Sequence, residues 1–240
     1  MMEAKLSLEL GAWRKFVLRR LDRRFKPIAK QVFERDDHTC QYCGFQAYKY
    51  QEVVNRDNDY TNYAKENLVT ACCFCSQCFF LEEVGRNGES GGQLIYLPEM
   101  QQSELNAFCH VLFCAMGNGT EYQDSAQSLY RSFRFRAQLV ERRFGEGTSN
   151  PAVMGRVLLE YQLSNPEVDF DEVLSGVRLL PLQTKFRKQL DAWANAAVEE
   201  LAEEEQLVSE EYDEEEAESS ESLATTAEDS EKAEEPPPSE

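Results

Sequence analysis

Two Cys-x-x-Cys pairs constrain this chain more than any other feature. Cys40 and Cys43 form the first, in RDDHTCQYCG at Arg35 to Gly44, and ENLVTACCFCSQC at Glu66 to Cys78 holds the second. Thiolates carried on two tight turns each span one edge of a tetrahedron, the arrangement a structural zinc ion takes. The 28 residues between Cys43 and Cys72 exceed a zinc-ribbon spacing and leave room for a hairpin and a loop. The residues alone leave the second pair open, because Cys72 with Cys75 and Cys75 with Cys78 are both Cys-x-x-Cys, with Cys73 between them. Four thiolates close the coordination shell and leave no position for an activated water, so this metal is a folding element.

Eight cysteines in 240 residues, with no basic and apolar leader in the opening MMEAKLSLELGAW, read as a cytoplasmic protein whose thiols stay reduced. No run approaches the roughly 18 to 20 apolar residues of a membrane-spanning helix, which argues against direct membrane insertion. From Glu199 onward there are nineteen acidic residues against one base, Lys232. That segment carries −18 of the chain's −19, so the low pI describes the tail and not the body. Its paucity of apolar surface and its self-repulsion predict a disordered acidic tail over 203–240, following a single body over 1–202.

Along the body, KLSLEL alternates Leu6, Leu8 and Leu10 and predicts a short strand. Trp13, Phe16, Val17 and Leu21, then Ile28, Val32 and Phe33, predict two short helices, with Pro27 placed to begin the second. Arg14, Lys15, Arg19, Arg20, Arg23, Arg24 and Lys26 form a basic cluster, read as a solvated face or as a surface for phosphate or an acidic partner. Gly85, Gly88, Gly91 and Gly92 mark a loop before a strand in QLIYL. Apolar stripes predict helices through Leu105 to Met116, Tyr122 to Phe144, Ala152 to Leu163 and Lys185 to Leu201. The fold class is α+β, mainly helical, with a small zinc module over 35–84.

The string around the second pair resembles the HNH motif, in which Asn-Leu leads into the second knuckle. Asn67, Leu68 and the spacing to Cys72 then favour Cys72 and Cys75 as ligands, with Cys78 a packing residue or substitute ligand. The resemblance implies a treble-clef ββα module with one structural zinc ion. Nucleases of that kind use a histidine base and a histidine-bound second metal on the hairpin between the knuckles. Here that stretch reads QEVVNRDNDYTNYAKENL, without a histidine. His38 and His110 are the two histidines of the chain; His38 reads as a capping or packing residue, and His110 as a core or partner-facing one. Asn55, Asp57, Asn58, Asp59 and Asn62 offer oxygen ligands for a hard cation, but without EF-hand spacing they read as a polar turn. An HNH-like endonuclease, or a nucleic-acid-binding zinc protein, is the alternative function.

RDDHTCQYCGFQAYKYQEVVN, NLVTACCFCSQCFF, GGQLIYLPEM, ELNAFCHVLFCAM, SAQSLYRSFRFR, FGEGTSNPA and RLLPLQTKFRKQL together resemble the IcmJ (DotN) family of the Dot/Icm type IVB secretion system, over about Leu6 to Ala197. The resemblance implies a non-catalytic adaptor that binds the C-terminal segment of the coupling ATPase beside other coupling-complex subunits and supports effector translocation. Nucleic acid is then not the expected partner. Phe108, in the apolar FCHVLFC, and the run Tyr130, Arg131, Phe133, Arg134 and Phe135 combine residue types enriched at interface hot spots and are the expected partner-binding residues.

Overall fold

The computed structural model of this chain describes residues 2–86, 90–117, 119 and 121–202. Gly88 of the glycine loop and the acidic tail lie outside the described residues. The chain divides into two compact units, Met1–Ala192 and Trp193–Glu240. In the second, 193–202 are helical, with Val198 and Leu201 exposed.

The first residues do not form the expected strand. Leu6 and Leu8 are buried and Leu10 is 80% exposed, so the alternation expected of a strand persists only in part. Ser7 N donates to Cys78 O at 2.9 Å and Ser7 O accepts from Leu81 N at 3.1 Å. Those partners sit in the 3-10 turns Gln77–Phe79 and Leu81–Glu83, whose backbone cannot continue a ladder.

The two expected helices follow as α1 (Ala12–Leu21) and α2 (Lys26–Arg35), the second with Pro27 in its first turn, where a missing N–H costs nothing. Helix α1 turns Ala12, Phe16 and Arg19 inward. Antiparallel strands β1 (Gln51–Asn55) and β2 (Leu68–Cys72) pair Gln51 with Cys72 and Asn55 with Leu68, and α3 (Cys73–Ser76) begins where β2 ends. Phe25, Val32, Val53 and Leu68 form the small core that joins α2 to this hairpin.

A second antiparallel pair, β3 (Gly92–Tyr96) with β4 (Val177–Pro181), opposes Leu94 to Leu179. Around it lie α4 (Gln102–Gly117), α5 (Gln123–Phe135), α6 (Ala137–Phe144) and α7 (Pro151–Ser164). The expected Tyr122 to Phe144 helix breaks at Arg136, whose N–H returns to Phe133 O. Leu94 and Leu179 pack with Leu6, Leu8, Cys78, Val140, Met154 and Leu158, which makes this the larger core. Helix α7 lies on the Leu81–Glu83 turn at a distance only glycine allows, since a Cβ on Gly155 would fall 2.6 Å from Glu82 Cα. Among the described residues, no helix is long and apolar enough to cross a membrane.

Candidate metal centre

The first knuckle is a tight turn built on Cys40. Cys40 N donates to Phe45 O and Gly44 N to Cys40 O, both at 2.9 Å, and Gly44 takes φ +77°, which its missing Cβ permits. Two links fasten this turn to the hairpin. Gln41 N donates to Thr70 O at 2.9 Å, and Thr70 N donates to the Asp36 carboxylate at 2.8 Å. Strand β2 then delivers Cys72 at its last position, and the first turn of α3 carries Cys75.

These turns bring Cys40, Cys43, Cys72 and Cys75 together, all buried, with their four sulfurs within 4.8 Å of one another. Cys43 and Cys72 are 3.5 Å apart at sulfur. A tetrahedron with zinc–sulfur bonds of about 2.3 Å has edges of about 3.8 Å, so the donor set fits one zinc ion. The group also favours charge on one member. Burial opposes ionisation of Cys40, but hydrogen bonds from Cys43, Cys72 and Cys75 outweigh it and hold its thiol well below the ordinary value. Burial drives Cys72 and Cys75 the other way. A divalent cation removes that conflict by taking all four as thiolates.

Cys78 stands outside the group. Its thiol donates to Phe74 O at 3.4 Å, it packs in the larger core, and burial pushes it up to about 12. Cys73, also outside the group, is half-buried and lines a cavity of about 290 Å³ with Trp13 and Phe80.

A polar stripe on α4 meets the sulfurs, and the sequence reading missed it. Asn106 Nδ2 lies 3.2 Å from Cys75 Sγ and 3.3 Å from Phe74 O. Its Oδ1 accepts from Gln102 Nε2 at 3.0 Å, and Gln102 in turn exchanges hydrogen bonds with Leu179 N and O of β4 at 2.7 and 2.9 Å. One turn further, His110 Nε2 lies 3.4 Å from Cys72 Sγ. The imidazole is held flat between Phe45 and Phe74, with ring centroids at 3.7 and 4.2 Å. Burial lowers it to about 3, which favours the neutral imidazole, and in the tautomer with its proton on Nε2 that N–H would point at the Cys72 sulfur. N–H donors of this kind orient sulfur ligands and spread their charge. The signal was present: Gln102, Asn106 and His110 recur every four residues on a helix that is mostly apolar after its first turn.

The remaining expected site residues have other placements. His38 stacks between Phe33 and Tyr48. Asn55 is fully buried, accepting from Arg19 and donating to Asp59 O and Asn62 O. Asp57 accepts from Asp59 N and from the Asn62 and Asn67 amides, so the oxygen-rich stretch is a self-bonded turn. Arg19, read with the basic cluster, is buried: it also donates to Val53 O at 2.6 Å and lies over the Phe25 and Tyr60 rings. Tyr130 and Phe133 face inward, Tyr130 OH donating to Pro181 O at 2.9 Å and Phe133 packing on half-buried Phe108. Arg131, Arg134 and Phe135, the last 69% exposed, are the part of that run open to solvent.

No family model matches the chain. A comparison with curated proteins finds 53% identity over 201 residues, 84% of this chain and 94% of the relative, to the type 4 apparatus protein DotN of Legionella pneumophila.

Proposed function

This chain belongs to the DotN (IcmJ) family, and from that premise we propose that it is a non-catalytic adaptor of a type IV secretion coupling complex. In this reading it binds the C-terminal region of the coupling ATPase beside other coupling-complex subunits, and so supports effector recruitment and translocation. It does so from the cytoplasmic side of the machinery.

The observation that carries the reading is the enclosure of the sulfur group. Cys40, Cys43, Cys72 and Cys75 are at most 7% exposed, and the group is lined by Asn106 and His110. A zinc ion held there has four thiolates and no open position, so it would stabilise the fold without activating water. We assign these four residues as the ligands of one structural zinc ion in an HNH-like treble clef made of the first knuckle, the β1–β2 hairpin and α3. The hairpin carries no histidine, and its Asn55 and Asp57 side chains are engaged within the protein.

Coexpression with the coupling ATPase's C-terminal segment tests the adaptor role. The two should coelute in size exclusion as a stoichiometric complex, while the zinc-loaded chain leaves plasmid DNA intact in Mg²⁺ and Mn²⁺. Separate elution contradicts the adaptor role, and nicking abolished by Asp57→Ala contradicts the non-catalytic one.

A further inference from the structure

Helix α1 is fixed from one side and presents a different chemistry on the other. Inward, Phe16 packs on Phe80 and Tyr60, Arg19 is engaged with Asn55 and Val53, and Arg20 pairs with Glu52 at 2.9 Å. Outward, Arg14, Leu18 and Leu21 recur at steps of four and three and so share one face. Leu18 is 60% and Leu21 68% exposed, and Leu10, just before the helix, is 80% exposed. Beside them Arg14, Arg23 and Lys26 are exposed, and none has a hydrogen bond or ion pair among the described residues. Their neighbours are matched: Lys15 lies 3.7 Å from Glu9, and Arg24 pairs with Asp22 at 2.9 Å.

A single exposed leucine needs no explanation, but three of them among uncompensated cations form a patch of defined sign. We infer that the outer face of α1, Arg14, Leu18 and Leu21, together with exposed Leu10, Arg23 and Lys26 of the segments that flank it, docks an acidic amphipathic helix of a partner protein. The leucines supply the apolar seam that a second helix covers at matching spacing, and the cations select glutamate or aspartate on its flanks. Electrostatic complementarity sets approach and register, while the leucines supply most of the affinity.

The alternatives fit the face less well. A phosphodiester backbone gains nothing from leucines and nucleobases stack on aromatic rings, but the one aromatic of α1 that could serve, Trp13, is turned against Phe16 and Phe80. The same inward turn denies a lipid surface its usual aromatic anchor. A second exposed stripe, Val153, Val157 and Tyr161 on α7, has Arg156 and Glu160 beside it and so selects no sign. This inference deepens the adaptor reading by naming the chemistry of the docked segment, and its test separates the two.

The probe is a synthetic helix of about three heptads with leucine at the seam and glutamate on the flanks, titrated against the full chain by fluorescence anisotropy. The wild-type chain should bind it with an affinity that falls as salt rises, and should ignore the matching lysine peptide. Leu18→Ser with Leu21→Ser, and separately Arg14→Glu with Arg23→Glu, should each weaken binding by about tenfold or more. Far-UV circular dichroism and the thermal midpoint should not move, because all four side chains are exposed. Val153→Ser with Tyr161→Ser should bind like wild type.

No binding by wild type, or equal binding by the α1 variants, overturns the inference. Leu18- and Leu21-dependent capture by phosphatidylglycerol vesicles without peptide binding overturns it in favour of a membrane surface. The ATPase segment is then assayed against the same variants. If it binds all of them alike, the adaptor role stands and this face is not its dock. If it binds none while the acidic helix still needs α1, the face stands and the ATPase partnership fails.

Discussion

The side-chain amide of Asn106, on α4, donates to Cys75 Sγ at 3.2 Å. Through Gln102 the same amide is linked to the backbone of Leu179 in β4. A line of hydrogen bonds therefore joins the sulfur group to the second sheet, so a metal held by those sulfurs would be coupled to the larger core as well as to its own module.

Asn106→Leu keeps the branched shape of the side chain and removes the donor. It should lower zinc affinity about 10- to 100-fold in competition with a chromophoric chelator. Phe74 O and Gln102 lose a partner in the same change, so stability should fall by about 1–3 kcal/mol in urea titration. Unchanged zinc affinity would remove Asn106 from the metal's surroundings.

His110 separates packing from hydrogen bonding. His110→Phe preserves a flat ring between Phe45 and Phe74 but has no N–H for Cys72. It should keep most of the thermal stability while zinc affinity drops by about tenfold. His110→Ala loses both and should cost about 2–4 kcal/mol, because the two phenyl rings then face a cavity. Cobalt substitution gives an independent signal: the sulfur-to-metal charge-transfer band should shift in the Phe variant. An identical band contradicts the donor role.

How much of this was legible beforehand differs by element. The cysteine pairs, the two N-terminal helices with Pro27, and the QLIYL strand follow from spacing and period, and each reappears at nearly those residues. Strand β4 did not, because VRLLP lacks alternation and ends in a proline, and only pairing with β3 makes it a strand. Arg19 belonged to a row of bases that one-dimensional reading cannot sort. Its neighbours along the helix face solvent, but a residue three positions after Phe16 lies on the buried face. The four-residue spacing of Asn106 and His110 was visible in the sequence, but their sulfur partners were not, lying 31 and 38 residues away.

Arg19 supplies a test of that sorting. Arg19→Met keeps the stem and leaves Val53 O and the Asn55 side chain without their donor. Stability should fall by about 2–4 kcal/mol, and Arg19→Lys should recover only part of it, since an ammonium cannot span both acceptors in the guanidinium plane. Arg14→Met, on the outer face, should change stability by less than about 0.5 kcal/mol. Equal effects at the two positions would mean that α1 is not fixed as described.

Glu82 gives the pH dependence a sign. It is 7% exposed in the turn beneath α7, and burial pushes its carboxyl up to about 7, with Glu83 and Glu9 adding to the rise and Arg86 opposing it. Between its unfolded value of about 4.3 and its folded one, the native state holds more protons than the unfolded state. Its contribution to stability therefore falls as pH rises through that window and stays low above it. Glu82→Gln should be neutral near pH 4 and stabilising by about 1–3 kcal/mol near pH 8, read from urea midpoints. A difference that does not vary with pH contradicts the placement.

The central claim is a closed shell of four sulfurs around one metal, and zinc-edge X-ray absorption on the purified full chain, with metal content measured in parallel, tests it most directly. The account predicts one zinc per chain with four sulfur scatterers at about 2.3 Å and no nitrogen or oxygen in the first shell. Cys40→Ser, Cys43→Ser, Cys72→Ser and Cys75→Ser should each disturb that shell, while Cys73→Ser and Cys78→Ser leave it intact. A chain without zinc, or a shell containing a water or imidazole ligand, contradicts it.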